Sequence, residues 1–313
     1  MTAINILKIN PQLALIATDM QVTEEEHIRF EEKILDISTP TVNALAAYTG
    51  VTLAVPFAQQ RLTGQEKSTQ EIATSFSSSL NKYLHSLAVD CLKRMYEQSE
   101  EQIKTALDSP LEKHNKQLAS SYVHLVKKRQ EFAFLEQADT TMLTIGYDKT
   151  RTDEQIRVYS SLPFPATPML LSSNQESEYF CRGIGEQAAI DILHPCVNNS
   201  RKHLFPNKGL ELLIKATNKA KRIDGVGGTT RLGVVSDTEA RILSEENSFY
   251  ASAATMMHEK GIINQRQTYE LLDRIVLSNA SEQEAQDRIK HALNNDARYE
   301  LKTLAKEYYN LET

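Results

Sequence analysis

The chain opens Met1-Thr2-Ala3. Initiator methionine is commonly removed before a small second residue, and removal leaves Thr2 with a free α-amine beside its own hydroxyl. Such an amine has an ordinary pKa of about 7.7–8.0. Part of it is therefore unprotonated near neutrality and can act as general base for that hydroxyl. Two further residues could tune this pair. Asp19 closes the second of two β-rich stretches, 3–9 and 13–18, which flank the turn signal Asn10-Pro11-Gln12. A hairpin would return it to the neighbourhood of Thr2. Lys33 opens the next β-rich stretch. A lysine close to a threonine hydroxyl and amine lowers both pKa values, and an aspartate beside that lysine keeps it charged and oriented. Taken singly, Asp19 also reads as a turn cap, and Lys33 as a solvated strand end after Glu31 and Glu32.

The elements that must position these residues follow from hydrophobic periodicity. Residues 33–37 and 42–47 read as short strands split by Ser38-Thr39-Pro40-Thr41, and the stretch holding Glu24, Glu25 and Glu26 reads as polar connection. From about 68 to 137 the period lengthens. Ile72, Phe76, Leu80, Leu84, Leu87, Cys91 and Met95 mark one amphipathic helix, and Leu118, Tyr122, Leu125, Phe132 and Leu135 a second. The charged stretch 97–114 between them predicts a solvated hairpin tip. Strands return at 140–147, 155–160 and 169–172. Helices follow after Gly183-Ile184-Gly185 and from Pro206, whose fixed φ suits a first helical turn. Residues 229–235 and 240–243 form a last strand pair, and helices are predicted near 247–260, 264–278 and 281–308. Strand pairs separated by helix pairs do not make the βαβ alternation of a parallel sheet. They predict two antiparallel sheets face to face, with helix pairs on the outer faces.

Order and residue identity together resemble a known family. Thr2-Ala3-Ile4, Leu15-Ile16-Ala17-Thr18-Asp19, Glu32-Lys33-Ile34-Leu35-Asp36-Ile37 and Gly50 are similar to the opening of proteasome β-type subunits and of the bacterial proteasome-like peptidase. Leu143-Thr144-Ile145-Gly146-Tyr147-Asp148 resembles that family's Gly-x-Asp strand. Gly183-Ile184-Gly185 resembles its Gly-Ser-Gly, and Arg222-Ile223-Asp224 with Gly227-Gly228 its Arg-Asp-x-x-Ser-Gly-Gly. The resemblance implies an α+β fold, a four-layer αββα sandwich of the N-terminal nucleophile hydrolases. It covers residues 1–245, with the long helical hairpin inserted and residues 246–313 left as a helical extension. It also implies a threonine peptidase: Thr2 as nucleophile, Asp19 as buried acid, Lys33 as the partner that lowers the pKa, Gly50 as oxyanion donor, and Asp224 as the acid orienting the amine. It further implies a peptide or unfolded-protein substrate, a homo-oligomeric ring, room for an ATP-dependent unfoldase partner, and no cofactor or metal. The sequence departs from the pattern at Ile184 and Val226, which stand where the family has serines. The spacing from Thr2 to Asp19 is also about one residue long, and that from Asp19 to Lys33 slightly short.

Two alternatives stay open: a catalytically silent subunit of the same fold, and a helix-rich interaction or scaffold protein using residues 68–137 and 247–308. Composition bounds all three. The 313 residues carry 35 basic and 41 acidic side chains, a formal charge of −6, which argues against nucleic-acid binding by bulk charge. A hydrophobic share of 41% supports a packed core. Apolar runs are too short for a membrane span, which needs about 20 residues, and no signal peptide is expected. Three cysteines without CxxC spacing fit a reducing cytoplasm. The glycine run 225–228 lacks the lysine of a phosphate-binding loop. Lys215, Lys219, Lys221 and Arg222 read as a basic cluster complementing a helix C-terminus.

Overall fold

The computed structural model describes residues 3–24, 27–50, 53–110, 115–128, 135, 140–153, 155–172, 177–199, 204–223, 226–294 and 298–308. The candidates Thr2 and Asp224 lie outside the described residues, as does Phe132.

The predicted N-terminal hairpin is present as β1 (Ala3–Asn10) and β2 (Leu13–Asp19). Between Glu24 and the second sheet, the polar connection proves to be a further small hairpin, β3 (Gln21–Glu24) with β4 (His27–Phe30). Then come β5 (Ile34–Asp36) and β6 (Val42–Gly50), followed by the short helix α1 (Ala54–Gln59). Among the described residues the predicted helical hairpin holds α2 (Thr69–Tyr96), α3 (Glu100–Asp108) and α4 (Lys116–Lys127). What reads as a solvated tip folds because Ser99 and Gln102 form a capping box, while Ile103 and Ala106 bury one narrow face.

Strands β7 (Thr140–Asp148), β8 (Ile156–Ser161) and β9 (Met169–Leu170) follow as predicted. The next strand, β10 (Glu178–Gly183), has no alternating apolar signature and is legible only in its pairing with β1. Helices α5 (Glu186–Asn199) and α6 (Pro206–Ala220) precede β11 (Thr230–Ser236) and β12 (Ala240–Ile242). The chain then continues in α7 (Glu245–Glu259), α8 (Gln265–Leu272) with a π turn over Asp273–Leu277, α9 (Glu282–Leu293) and α10 (Leu301–Tyr308). The single helix predicted over 281–308 is thus two.

The strands form two five-stranded sheets, ordered β10-β1-β2-β11-β12 and β5-β6-β7-β8-β9, with antiparallel pairing throughout. Period-two alternation divides each central strand between two cores. Ile4, Ile6, Ala14 and Ile16 of the first sheet meet Leu45, Ala47, Leu143 and Ile145 of the second. On their other faces, Leu7, Leu15, Ala17 and Leu232 pack against Leu193, Leu213 and Ile214 of α5 and α6. Ala44, Ala46 and Met142 pack in turn against Ile72 and Phe76 of α2. Sheets buried on both faces need near-continuous apolar strands, which β1, β2 and β6 supply. The helices beyond residue 245 join the core of the first sheet. Phe249, Ala253, Leu272, Ile289, Leu304 and Tyr308 lie in one cluster with Leu15 and Leu213.

Candidate active site

β2 ends in Asp19, and its carboxylate is fully buried. It is nonetheless well supplied with donors. The amide of Ala3 donates to Oδ1 at 2.7 Å, Lys33 Nζ donates to Oδ2 at 3.2 Å, and the amide of Gly227 donates to Oδ2 at 3.4 Å. Lys33, itself 1% exposed, donates also to the carbonyl of Gln21. Strand ends from both sheets therefore converge here: β1 and β2 from one, and from the other the residue before β5. Burial excludes the reading of Lys33 as a solvated strand end, and the amides of Ala3 and Gly227 show that Asp19 caps backbone distant in the chain rather than its own turn.

Burial pushes the Asp19 carboxyl above its ordinary value, although the charge of Lys33 and the amides of Ala3 and Gly227 pull the other way. Burial likewise pushes the Lys33 amine down, against the raising influence of Asp19. A lysine so placed gives up its proton more readily than one in water.

Gly50 sits at the exposed end of β6 with φ at 103°, a left-handed backbone that suits glycine. It is close to Lys33 along the ladder, since the Tyr48 amide donates to the Lys33 carbonyl at 3.3 Å. The glycine run after Asp224 binds a carboxylate, that of Asp19, through Gly227. The two departures noted in the sequence border the same end. Gly183 pairs with Ala3, which sets the half-exposed Ile184 beside the N-terminal strand. Val226 is buried against Ala3 and Ala220.

One residue of this neighbourhood escapes the sequence reading. Lys221 is not part of a solvated basic cluster. Lys215 pairs with Glu211 and Lys219 with Asp191, but Lys221 Nζ is buried with no hydrogen-bond partner among the described residues. Its signal is spacing: it falls four residues after Thr217 and seven after Ile214, on the buried face of α6. Cys181 offers no competing nucleophile in this core, as burial pushes its thiol up to about 12. Among the described residues there is no group of three or more His, Cys, Asp or Glu that could hold a metal ion, and no helix long and apolar enough to cross a membrane.

No protein-family model matches the chain, and no curated protein matches it. Solved structures do. Anbu (ancestral beta-subunit) from Yersinia bercovieri matches with a TM-score of 0.52 at 12% identity, covering 83% of this chain and 92% of that one. An Anbu mutant from Hyphomicrobium sp. strain MC1 matches with a TM-score of 0.50 at 11% identity, covering 85% and 99%. These likenesses are of fold alone. They correct the sequence resemblance: assignment to the proteasome β-type and bacterial proteasome-like peptidase family is carried by no family model, and the structures that match are Anbu proteins at very low identity.

Proposed function

We propose that this protein is a threonine-type N-terminal nucleophile hydrolase that cleaves peptide bonds, with Thr2 as nucleophile once Met1 is removed. The observation that carries the reading is the buried Asp19–Lys33 pair, whose carboxylate also accepts the Ala3 amide at 2.7 Å. That amide is the one joining Ala3 to Thr2. A surface-type ion pair would have no reason to be buried at a strand end, because desolvating two charges costs several kcal/mol per ion.

In this reading the two sheets and the helices on their outer faces form a four-layer αββα sandwich. Lys33, while it carries its charge, favours the ionised hydroxyl of Thr2. Asp19 holds Lys33 in place. The Thr2 amine takes the hydroxyl proton as the oxygen attacks the scissile carbonyl, and the Gly50 amide stabilises the oxyanion. The amine then passes that proton to the leaving amine. Water, activated by the same amine, cleaves the ester and regenerates Thr2. Asp224 orients the amine. The substrate is a peptide or unfolded protein, taken inside a homo-oligomeric chamber, with an ATP-dependent unfoldase as its natural supplier. Residues 246–313 form a helical extension of the hydrolase domain.

Intact mass and particle size test this reading together. Loss of Met1, an assembly larger than a monomer, and epoxyketone labelling that Thr2→Ala abolishes are the expected results. Full retention of Met1, or wild-type protein that never labels, sinks it. A second reading keeps the fold and drops the chemistry. The apolar side chains of Ile184 and Val226 beside Ala3 favour it, because they supply no hydroxyl to hold the amine or a water.

A further inference from the structure

We infer that Lys221 is a third ionisable member of the Asp19–Lys33 pair, a positioning residue that sets the charge state of that pair and is itself seated by Tyr308 of the last helix. Its bearing on catalysis rests on the Thr2 reading above; its coupling to Asp19 does not.

The geometry starts from α6. Ala220 packs against Ala3 and Val226, so the helix ends directly behind the N-terminal strand. Lys221 follows as the cap residue, with its amine buried and lacking a hydrogen-bond partner among the described residues. The amine lies 4.4 Å from the centroid of the Tyr308 ring, where a cation gains from the ring quadrupole. The Tyr308 hydroxyl accepts from the amide of Thr230 and donates to its carbonyl at 3.1 Å. Thr230 is the cross-strand partner of Asp19. The last helix thus fastens the strand beside Asp19 and roofs Lys221 with one side chain. Thr230 Oγ1 is buried there, also without a hydrogen-bond partner among the described residues.

Among the described residues, the titratable groups set against this amine are Asp19 from β2 and Tyr308 from α10. The Asp19 oxygens already accept from Ala3, Gly227 and Lys33, so Lys221 shares its field without sharing a bond. Burial pushes the Lys221 amine down to about 7, against the raising charge of Asp19. Near pH 7 the Lys221 amine therefore changes charge within the field of the Asp19 carboxyl. With Lys221 charged, Lys33 loses its proton more readily; with Lys221 neutral, Asp19 is balanced by Lys33 alone.

The test uses full-length protein with 13C-labelled lysine side chains, titrated by NMR, the Lys221 resonance being assigned by its absence in Lys221→Met. A midpoint near 7 is expected, falling by about a unit or more in Asp19→Asn, where the supporting charge is gone. In Lys221→Met, which removes a buried unpaired charge and so keeps the fold, the Lys33 midpoint should rise. A Lys221 midpoint near 10.5, or a Lys33 midpoint that does not move, overturns the inference. Epoxyketone labelling of Thr2 supplies the catalytic arm. Besides the titration of the Thr2 amine itself, wild type should show a step near pH 7 that Lys221→Met and Lys221→Arg both remove, fixed on opposite sides of it. A merely structural lysine would scale the rate equally at every pH, and that result overturns its role as a positioning residue. Absent labelling with an intact lysine titration overturns the Thr2 reading and leaves the coupling of Lys221 to Asp19 standing.

Discussion

Two buried carboxylates in this fold face two bases each, and the outcomes are opposite. Glu211, 5% exposed between α6 and α7, accepts from Lys215 at 2.8 Å and contacts His258 Nδ1 at 2.6 Å. Burial raises its pKa, but the hydrogen bonds and charges of Lys215 and His258 outweigh burial and hold it below the ordinary range. Asp19 also has hydrogen bonds, yet there burial wins and the carboxyl is raised. The difference lies in depth: Asp19 and Lys33 are both sealed from solvent, so burial dominates there, whereas Lys215 and His258 reach the surface and lie against a carboxylate less deeply placed. A paired charge at the rim of a core stabilises the fold. The same chemistry sealed at a strand end shifts both partners toward their neutral forms, and perturbed groups of this kind cluster at functional sites.

The largest way to break this comparison is to remove one base from each side. Lys33→Ala should lower kcat/KM on fluorogenic peptides by about 10²–10⁴-fold. It should also cost roughly 3–5 kcal/mol of stability, because the buried carboxylate is left uncompensated. Lys215→Ala should leave kcat/KM within a factor of two or so and cost about 1 kcal/mol, as expected for a partly exposed pair. Equal losses of activity in the two variants would erase the distinction.

Next in size is the pH dependence of folding. Unfolded, the Lys221 amine keeps its proton up to 10.5; folded, only up to about 7. Between those values the unfolded chain binds the extra proton, so stability rises with pH by at most about 1.4 kcal/mol per unit. Below about 7 both forms are charged and the penalty is fully present. Lys221→Met should therefore be more stable than wild type at pH 6, with the gap closing as pH rises. Urea denaturation at several pH values reads it, and a gap that is constant with pH counts against the assignment.

Glu211 also adds stability as pH rises, but as a favourable interaction gained rather than a penalty relieved. Its folded pKa is depressed, so its contribution is present above the ordinary value of 4.5 and lost as pH falls through the folded one. Glu211→Gln should cost roughly 1–3 kcal/mol at pH 7, since a charged hydrogen-bond acceptor is lost. The deficit should shrink on acidification, and a deficit that grows instead would show the pair is not what stabilises this face.

How much of this was legible in the sequence depends on whether a residue's environment is local. The β1–β2 hairpin, β6 and β7 announce themselves, because strands buried on both faces must be apolar throughout. Asp19 and Lys33 are legible as candidates by position, but their burial is a tertiary fact. β10 is not legible: its half-exposed residues carry no alternation, and only pairing with β1 makes it a strand. α3 hides for a related reason, since two small apolar contacts decide its face. Lys221 is hidden by its own charge. Periodicity places it on the core face of α6, yet a lysine beside Lys219 and Arg222 reads as solvent-facing until α10, some eighty residues later in the chain, closes over it.

That closure yields the smallest and most discriminating prediction. Tyr308 does two separable things: its hydroxyl bonds the backbone of Thr230, and its ring lies over Lys221. Tyr308→Phe removes the first and keeps the second. It leaves the Thr230 amide and carbonyl, both in a buried position, short of the partner each had. The expected cost is about 1–3 kcal/mol, the penalty of unsatisfied buried polar groups, with the Lys221 titration near 7 retained. Tyr308→Leu removes both and adds the loss of a cation–π contact worth up to about 2 kcal/mol when desolvated, which falls on the charged amine alone. The difference between the two variants should therefore be larger at pH 6 than at pH 9. If it is the same at both, the ring serves the Asp19 side of the core only as packing, and the contrast with Glu211 rests on Lys33 alone.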